Sequence, residues 1–181
     1  MDGLSKYRCE ICGKSHTDWP ALTWDSPYQY NILPKEIKAR RAELDTDFCV
    51  IHHDTQVDRF IRVSLIQSVQ DHCNGLHYGL WVSLSEDKFF DYADKYGKED
   101  AEIVHYFGWL CNEIPGYAST LSIPMNVTTQ KDKLRPIVEP HKDFRHSFVQ
   151  DFYNGIDLTE AERRVQEFLD IVSKRESGNG K

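Results

Sequence analysis

The densest chemistry in this chain lies in Cys9-Glu10-Ile11-Cys12-Gly13-Lys14-Ser15-His16. Two thiols separated by two residues can face one cation across a tight turn, and Gly13 supplies the backbone angles such a knuckle needs. An imidazole follows at His16, so the stretch reads as half of a metal site. Thiolate and imidazole donors favour zinc, which they hold without redox chemistry. The competing readings are a redox Cys-x-x-Cys pair and ordinary reduced thiols, the redox one weakened because no strand is expected before Cys9. His52, His53, His141 and His146 stand as substitutes for His16.

Three further stretches carry reactive side chains. His52-His53-Asp54 has the composition of an acid–base or metal cluster, but it sits where a strand should enter a turn, and the turn is the expected role. Asp71-His72-Cys73-Asn74-Gly75 holds a Cys/His pair, yet adjacent loop residues point apart, so a loop ended by glycine is expected. Cys111-Asn112-Glu113 lies in an aromatic stretch beside a turn. There Trp109, Asn112, Glu113 and Tyr117, with the later His146 and Asp151, are expected to form a ligand or partner surface.

These side chains must be held by a chain of 181 residues, 40% hydrophobic, 28% charged and 12% aromatic. Such a composition supports a folded core, and the length suits one domain over 1–175 with a flexible tail over 176–181. Five cysteines, an odd number, fit reduced thiols or metal ligands better than a disulfide framework. No apolar run of signal-peptide or membrane-span length is visible, so a cytoplasmic location is expected. The net charge of −7 gathers downstream, with seven acidic residues against three lysines between Ser85 and Glu102. No basic stripe of the kind nucleic acid requires accompanies it, so neither nucleic acid nor a membrane is an expected partner. A basic protein would complement the charge, although a solvated helix face explains the acidic run more simply.

The patterning positions these groups on an α+β fold with a mainly antiparallel sheet. A short helix should begin at Pro34 and carry Ile37, Arg41 and Leu44. Phe48 to Ile51 and Arg59 to Ile66 read as strands joined at Asp54-Thr55-Gln56, and Tyr78 to Leu84 as a third, followed by a helix capped at Ser85. Ile103 to Leu110, Thr120 to Ile123, Met125 to Thr128 and Leu134 to Val138 read as further strands, with Pro115-Gly116 in the order of a type II turn. A helix over Ser147 to Tyr153 should close at Asn154-Gly155. The capping-box pattern Thr159-Glu160-Ala161-Glu162 should start a last helix with Val165, Phe168, Leu169 and Val172 on one face.

Taken together, several of these stretches resemble a bacterial family of uncharacterised proteins, domain of unknown function 2199. The carriers are Cys9-x-x-Cys12-Gly13 with His16 and Pro20, Arg41 to Ile51, Trp81 to Glu86, Phe107-Gly108-Trp109-Leu110 with Pro115 to Leu121, and Arg135-Pro136 with Glu139-Pro140. The stretch at His146 departs from the family pattern. The resemblance implies a bacterial origin and a shared fold, and it brings no reaction with it. It also singles out Cys49 beside Cys9 and Cys12, which implies the ligand set Cys9, Cys12, His16 and Cys49 for a structural zinc. Function is then expected to be that of a zinc-stabilised binding or interaction module, for example an antitoxin or immunity-type protein. The alternative is a small metal-dependent or cysteine/histidine hydrolase using the Trp109 to Tyr117 region.

Overall fold

A computed structural model describes residues 6–10, 12–98 and 100–178. Its framework is one large, mostly antiparallel sheet flanked by helices. The first two strands, β1 (Lys6–Arg8) and β2 (Ser15–Thr17), pair as a separate hairpin around the cysteine knuckle. β3 (Leu22–Thr23) then joins the main sheet, and two short helices follow, α1 (Tyr28–Asn31) and α2 (Lys35–Arg41). The helix expected to reach Leu44 stops at Arg41, because Ala42 turns extended and Ala42–Leu44 forms β4 against β5 (Phe48–His52).

Two long strands dominate, β6 (Val57–Val69) and β7 (His72–Ser83), paired antiparallel from Phe60↔Ser83 to Val69↔His72. They are followed by α3 (Glu86–Lys95), β8 (His105–Leu110), β9 (Pro124–Thr128) and β10 (Ile137–Pro140). The pairings β6–β7, β7–β8, β8–β9, β9–β10 and β10–β6 run in a closed circuit, with β10–β6 its one parallel contact. Closure removes most free sheet edges, which would otherwise invite pairing with other chains. β5 and β4 extend the sheet from β6, and β3 adds in parallel to β7. The circuit needs close approach at Gly108, where a Cβ would stand 2.9 Å from the Ser83 carbonyl oxygen.

Alternation along the strands builds the core. Val63 and Leu65 of β6, Leu76, Tyr78, Leu80 and Val82 of β7, Leu110 of β8 and Met125 and Val127 of β9 are all buried in one cluster. Thr120 to Ile123, expected as strand, is irregular instead, with Ser122 at a φ of 61°. The strand expected over Leu134 to Val138 begins only at Ile137.

Two helices close the chain, α4 (Ser147–Asn154) and α5 (Leu158–Gly178). The expected capping box at Thr159 is displaced: Asp157 Oδ1 accepts the Glu160 N–H at 2.8 Å, so the cap lies two residues earlier. Glu176 to Gly178, expected as mobile tail, continue α5, while 179–181 lie outside the described residues. Arg164 of α5 is 4% exposed, donating from Nη2 to Asp151 of α4 at 2.8 Å and from Nε to Glu160 at 2.7 Å. The neighbouring Arg163, first, and Arg164 hold the Glu160 carboxyl down at about 2, against the opposing effect of burial.

Two outcomes follow from this ion network. Arg164→Leu leaves two carboxylates without their shared cation, and a loss of about 3 kcal/mol is expected in urea unfolding at pH 7. Glu160 is depressed in the folded state, so its contribution is full above about pH 4.5 and is lost as pH falls toward about 2. Acid titration of unfolding should show a decline of about 2 kcal/mol across that window in wild type, and a smaller one in Glu160→Gln.

Candidate metal centre

The hairpin of β1 and β2 sets Tyr7 opposite His16 and places the knuckle in its loop. Within that loop the Gly13 N–H donates to the Cys9 carbonyl at 2.8 Å, and the Cys9 N–H donates to the Lys14 carbonyl at 2.8 Å. Gly13 takes a φ of +70°, the left-handed angle that favours glycine. This turn brings Cys12 Sγ to 3.0 Å from His16 Nε2.

The second half of the cluster comes from the tip of the β6–β7 hairpin. Asp71 turns the chain with a φ of 59°, and His72, Cys73 and Asn74 already belong to β7, where a loop was expected. Gly75, at a φ of +65°, lies so near β6 that a Cβ would stand 2.5 Å from the Gln67 carbonyl oxygen. The register shift between Gln67 and Val69 falls beside it. Three contacts fasten this tip to the knuckle: Asn74 Nδ2 donates to Tyr7 Oη at 2.7 Å, Lys14 Nζ pairs with Asp71 Oδ1 at 3.1 Å, and the His16 and His72 rings lie 4.6 Å apart. Trp19 stacks on His72 at 4.2 Å and 19°, extending the seam toward β3.

Cys9, Cys12, His16 and Cys73 therefore converge, each offering a ligand atom within 4.8 Å of the other three. A zinc tetrahedron with bonds of about 2.3 Å has edges of about 3.8 Å, so modest inward movement would bring all four into coordination. Cys9 and His16 are buried, while Cys12 and Cys73 are exposed. The Cys73 thiol is pushed up to about 11, first by its hydrogen bond with Cys12, then by burial and by Cys9. A divalent cation would reverse that crowding by favouring the thiolates.

Cys49, implied above as the third thiol, is not part of this group. It sits on β5 opposite Phe60 and is fully buried in the hydrophobic core, where desolvation pushes its thiol up to about 12. Burial does the same to Cys111, also to about 12. Cys73 replaces Cys49 because the β6–β7 hairpin folds its tip back onto the knuckle, a long-range contact that spacing along the chain does not announce. The only local signal was a thiol and an imidazole in a tight turn.

The other candidate residues separate into distinct roles. Asn112 is fully buried and braces the fold, accepting the Trp81 N–H at 2.7 Å and donating to the Ser26 carbonyl at 3.0 Å. Trp109 lies on the outer face of β8, its ring 4.8 Å from Phe107. His146 caps α4, its Nδ1 accepting the Phe148 N–H at 3.0 Å, and its ring lies 6.1 Å from Tyr117. Tyr117 donates to Asp151 Oδ2 at 2.6 Å beneath the Arg164 guanidinium, which is 4.8 Å from its ring centre. Burial first, and that bond second, push the Tyr117 hydroxyl well above its usual pKa, which leaves it protonated at neutral pH. His52 is the last residue of β5, paired with Val57, and His53 enters the expected turn, its N–H donating to the Gln56 carbonyl at 2.9 Å and its Nε2 2.9 Å from Asp58 Oδ2.

The differing thiol environments give a direct check. In metal-free protein under native conditions, iodoacetamide followed by peptide mapping should modify Cys12 first, whereas Cys49 and Cys111 should react only after denaturation.

Comparison with known proteins gives one family match: the model described as "uncharacterized protein conserved in bacteria (DUF2199)" aligns with residues 8–156. No curated protein and no solved structure matches.

Proposed function

The chain belongs to that family of uncharacterized proteins conserved in bacteria, and from this premise we propose that it is a binding module whose N-terminal hairpin is fastened to β7 by a structural zinc ion. The observation that carries the reading is the convergence of Cys9, Cys12 and His16 with Cys73, 57 residues further along the chain (73 minus 16), with all ligand atoms within 4.8 Å of one another. Three thiolates and an imidazole match the donor preference of zinc and give it four ligands, a closed structural set. A hydrolytic zinc keeps one position open for water or substrate, and a four-residue set favours the binding role instead.

The zinc supplies a cross-link. Holding β1 and β2 against the start of β7, it shortens the loop that the unfolded chain would otherwise explore and adds its binding energy to folding. The partner best complementing a chain of net charge −7 is a basic protein, as an antitoxin or immunity-type module would meet. Reduced thiols suit a cytoplasmic setting. No helix among the described residues is long and apolar enough to cross a membrane.

Zinc per mole of protein, measured by mass spectrometry after purification without chelator, is the test. Wild type and Cys49→Ala should each hold near one equivalent, and Cys12→Ala and Cys73→Ala near none. A metal-free wild type, or a Cys73→Ala variant that retains its metal, overturns the reading.

A further inference from the structure

A cavity of about 430 Å³ opens on the side of the fold where α5 meets the turn after β8. Its walls include the rings of Trp24, Tyr117 and Phe168, and its polar lining includes Glu113. A second cavity of about 400 Å³ shares Trp24 and Glu113 and continues past them toward Tyr28. Both volumes lie in the range of small-ligand sites, and the Glu113 carboxylate belongs to the lining of both.

That carboxylate is held in place from both of its oxygens. Glu113 Oε1 accepts the Ser119 hydroxyl at 2.7 Å, and Oε2 accepts the Thr120 N–H at 2.9 Å. Thr120 is itself fully buried, donating to the Asn112 carbonyl at 2.7 Å and accepting the Ile114 N–H at 2.9 Å, so the loop is folded around it. Among the described residues no lysine, arginine or histidine nitrogen comes within 4.0 Å of Glu113. The nearby guanidinium groups are occupied: Arg163 by Glu160 and Glu167, Arg164 by Asp151 and Glu160. Three carboxylates, Asp151, Glu160 and Glu167, thus partner these two guanidinium groups, and Glu113 stands outside that network.

Aromatic faces are electron-rich and attract cations, and a carboxylate fixed beside them adds a point charge. We infer that this Trp24, Tyr117 and Phe168 cavity, with Glu113 at its edge, recognises an organic cation on an apolar stem: an alkylammonium or guanidinium, free or as the lysine or arginine side chain of a peptide. The inference rests on the binding-module reading and names the chemistry that module takes. The stem packs on the Trp24 and Phe168 rings, which lie 5.0 Å apart, and the charged head meets Glu113.

Calorimetry and tryptophan fluorescence on the full chain, with its metal content measured, test this. Nα-acetyl-lysine amide and Nα-acetyl-arginine amide should bind saturably, and Nα-acetyl-norleucine amide, which keeps the stem without the charge, should bind at least tenfold more weakly. Glu113→Gln should lower affinity for both cations at least tenfold with zinc content and thermal unfolding unchanged, and Phe168→Leu should weaken them while leaving Glu113 intact. A heptapeptide with one central lysine separates the sources. Affinity tenfold above the amide identifies a peptide partner, and equal affinity identifies a free amine. Equal binding of norleucine amide, or no binding to zinc-replete protein, overturns the inference and leaves the structural zinc standing. Absence of zinc with cation binding retained overturns only the metal reading.

Discussion

The antiparallel pairing of β6 with β7 is the constraint on which the rest of this structure depends. The two strands run side by side for most of their length, and nearly everything else is attached to one of them. β5 and β10 share one edge of β6, while β3 and β8 share one edge of β7. The hairpin tip delivers Cys73 to the knuckle, and the far end of β7 delivers Trp81 to Asn112. A slip of one residue in this pairing would turn Leu76, Tyr78, Leu80 and Val82 outward and carry Cys73 away from its partners.

Along β7 the two candidate sites become mechanically related. The chain leaving His16 passes Trp19, stacked on His72, and enters β3, which pairs with Tyr78 and Gly79. Trp24 follows at once: its N–H donates to the Gly79 carbonyl at 3.0 Å, and its carbonyl accepts the Trp81 indole N–H at 2.9 Å. The ring that walls the cavity is therefore held by the same strand that anchors the cysteine cluster. The contacts of the first hairpin with β7 limit how far the segment bearing Trp24 can stray, and the proposed ion would add to that restraint without touching the cavity.

The opposite wall is held by charge. Arg164 lies in the interior, and such a group is stable there because Asp151, Glu160 and the Tyr117 ring surround it. These partners come from α4, α5 and the turn after β8, so one guanidinium sets their mutual position. Burial and pairing also explain why the five thiols differ. Cys49 and Cys111 pack as small apolar groups with raised pKa values, whereas Cys12 and Cys73 stand at the surface within reach of a cation.

What the amino-acid sequence determined by itself is whatever depends on neighbours within a few residues. β-Branched and aromatic residues in Phe48 to Ile51 and Arg59 to Ile66, with alternation in the second run, specified strands, Gly13 and Gly116 specified turns, and the apolar face of Val165 and Phe168 specified the last helix. The half-site of Cys9, Cys12 and His16 was legible for the same reason, since a knuckle is a local object. Only the tertiary structure decided that Cys73 and not Cys49 completes the cluster, that five strands close into a circuit, and that Glu113, Tyr117 and Trp24 share a cavity. Each of these joins segments tens of residues apart, and which segments meet is settled by the summed burial of the core and the register of β6 against β7, neither of which any short stretch contains.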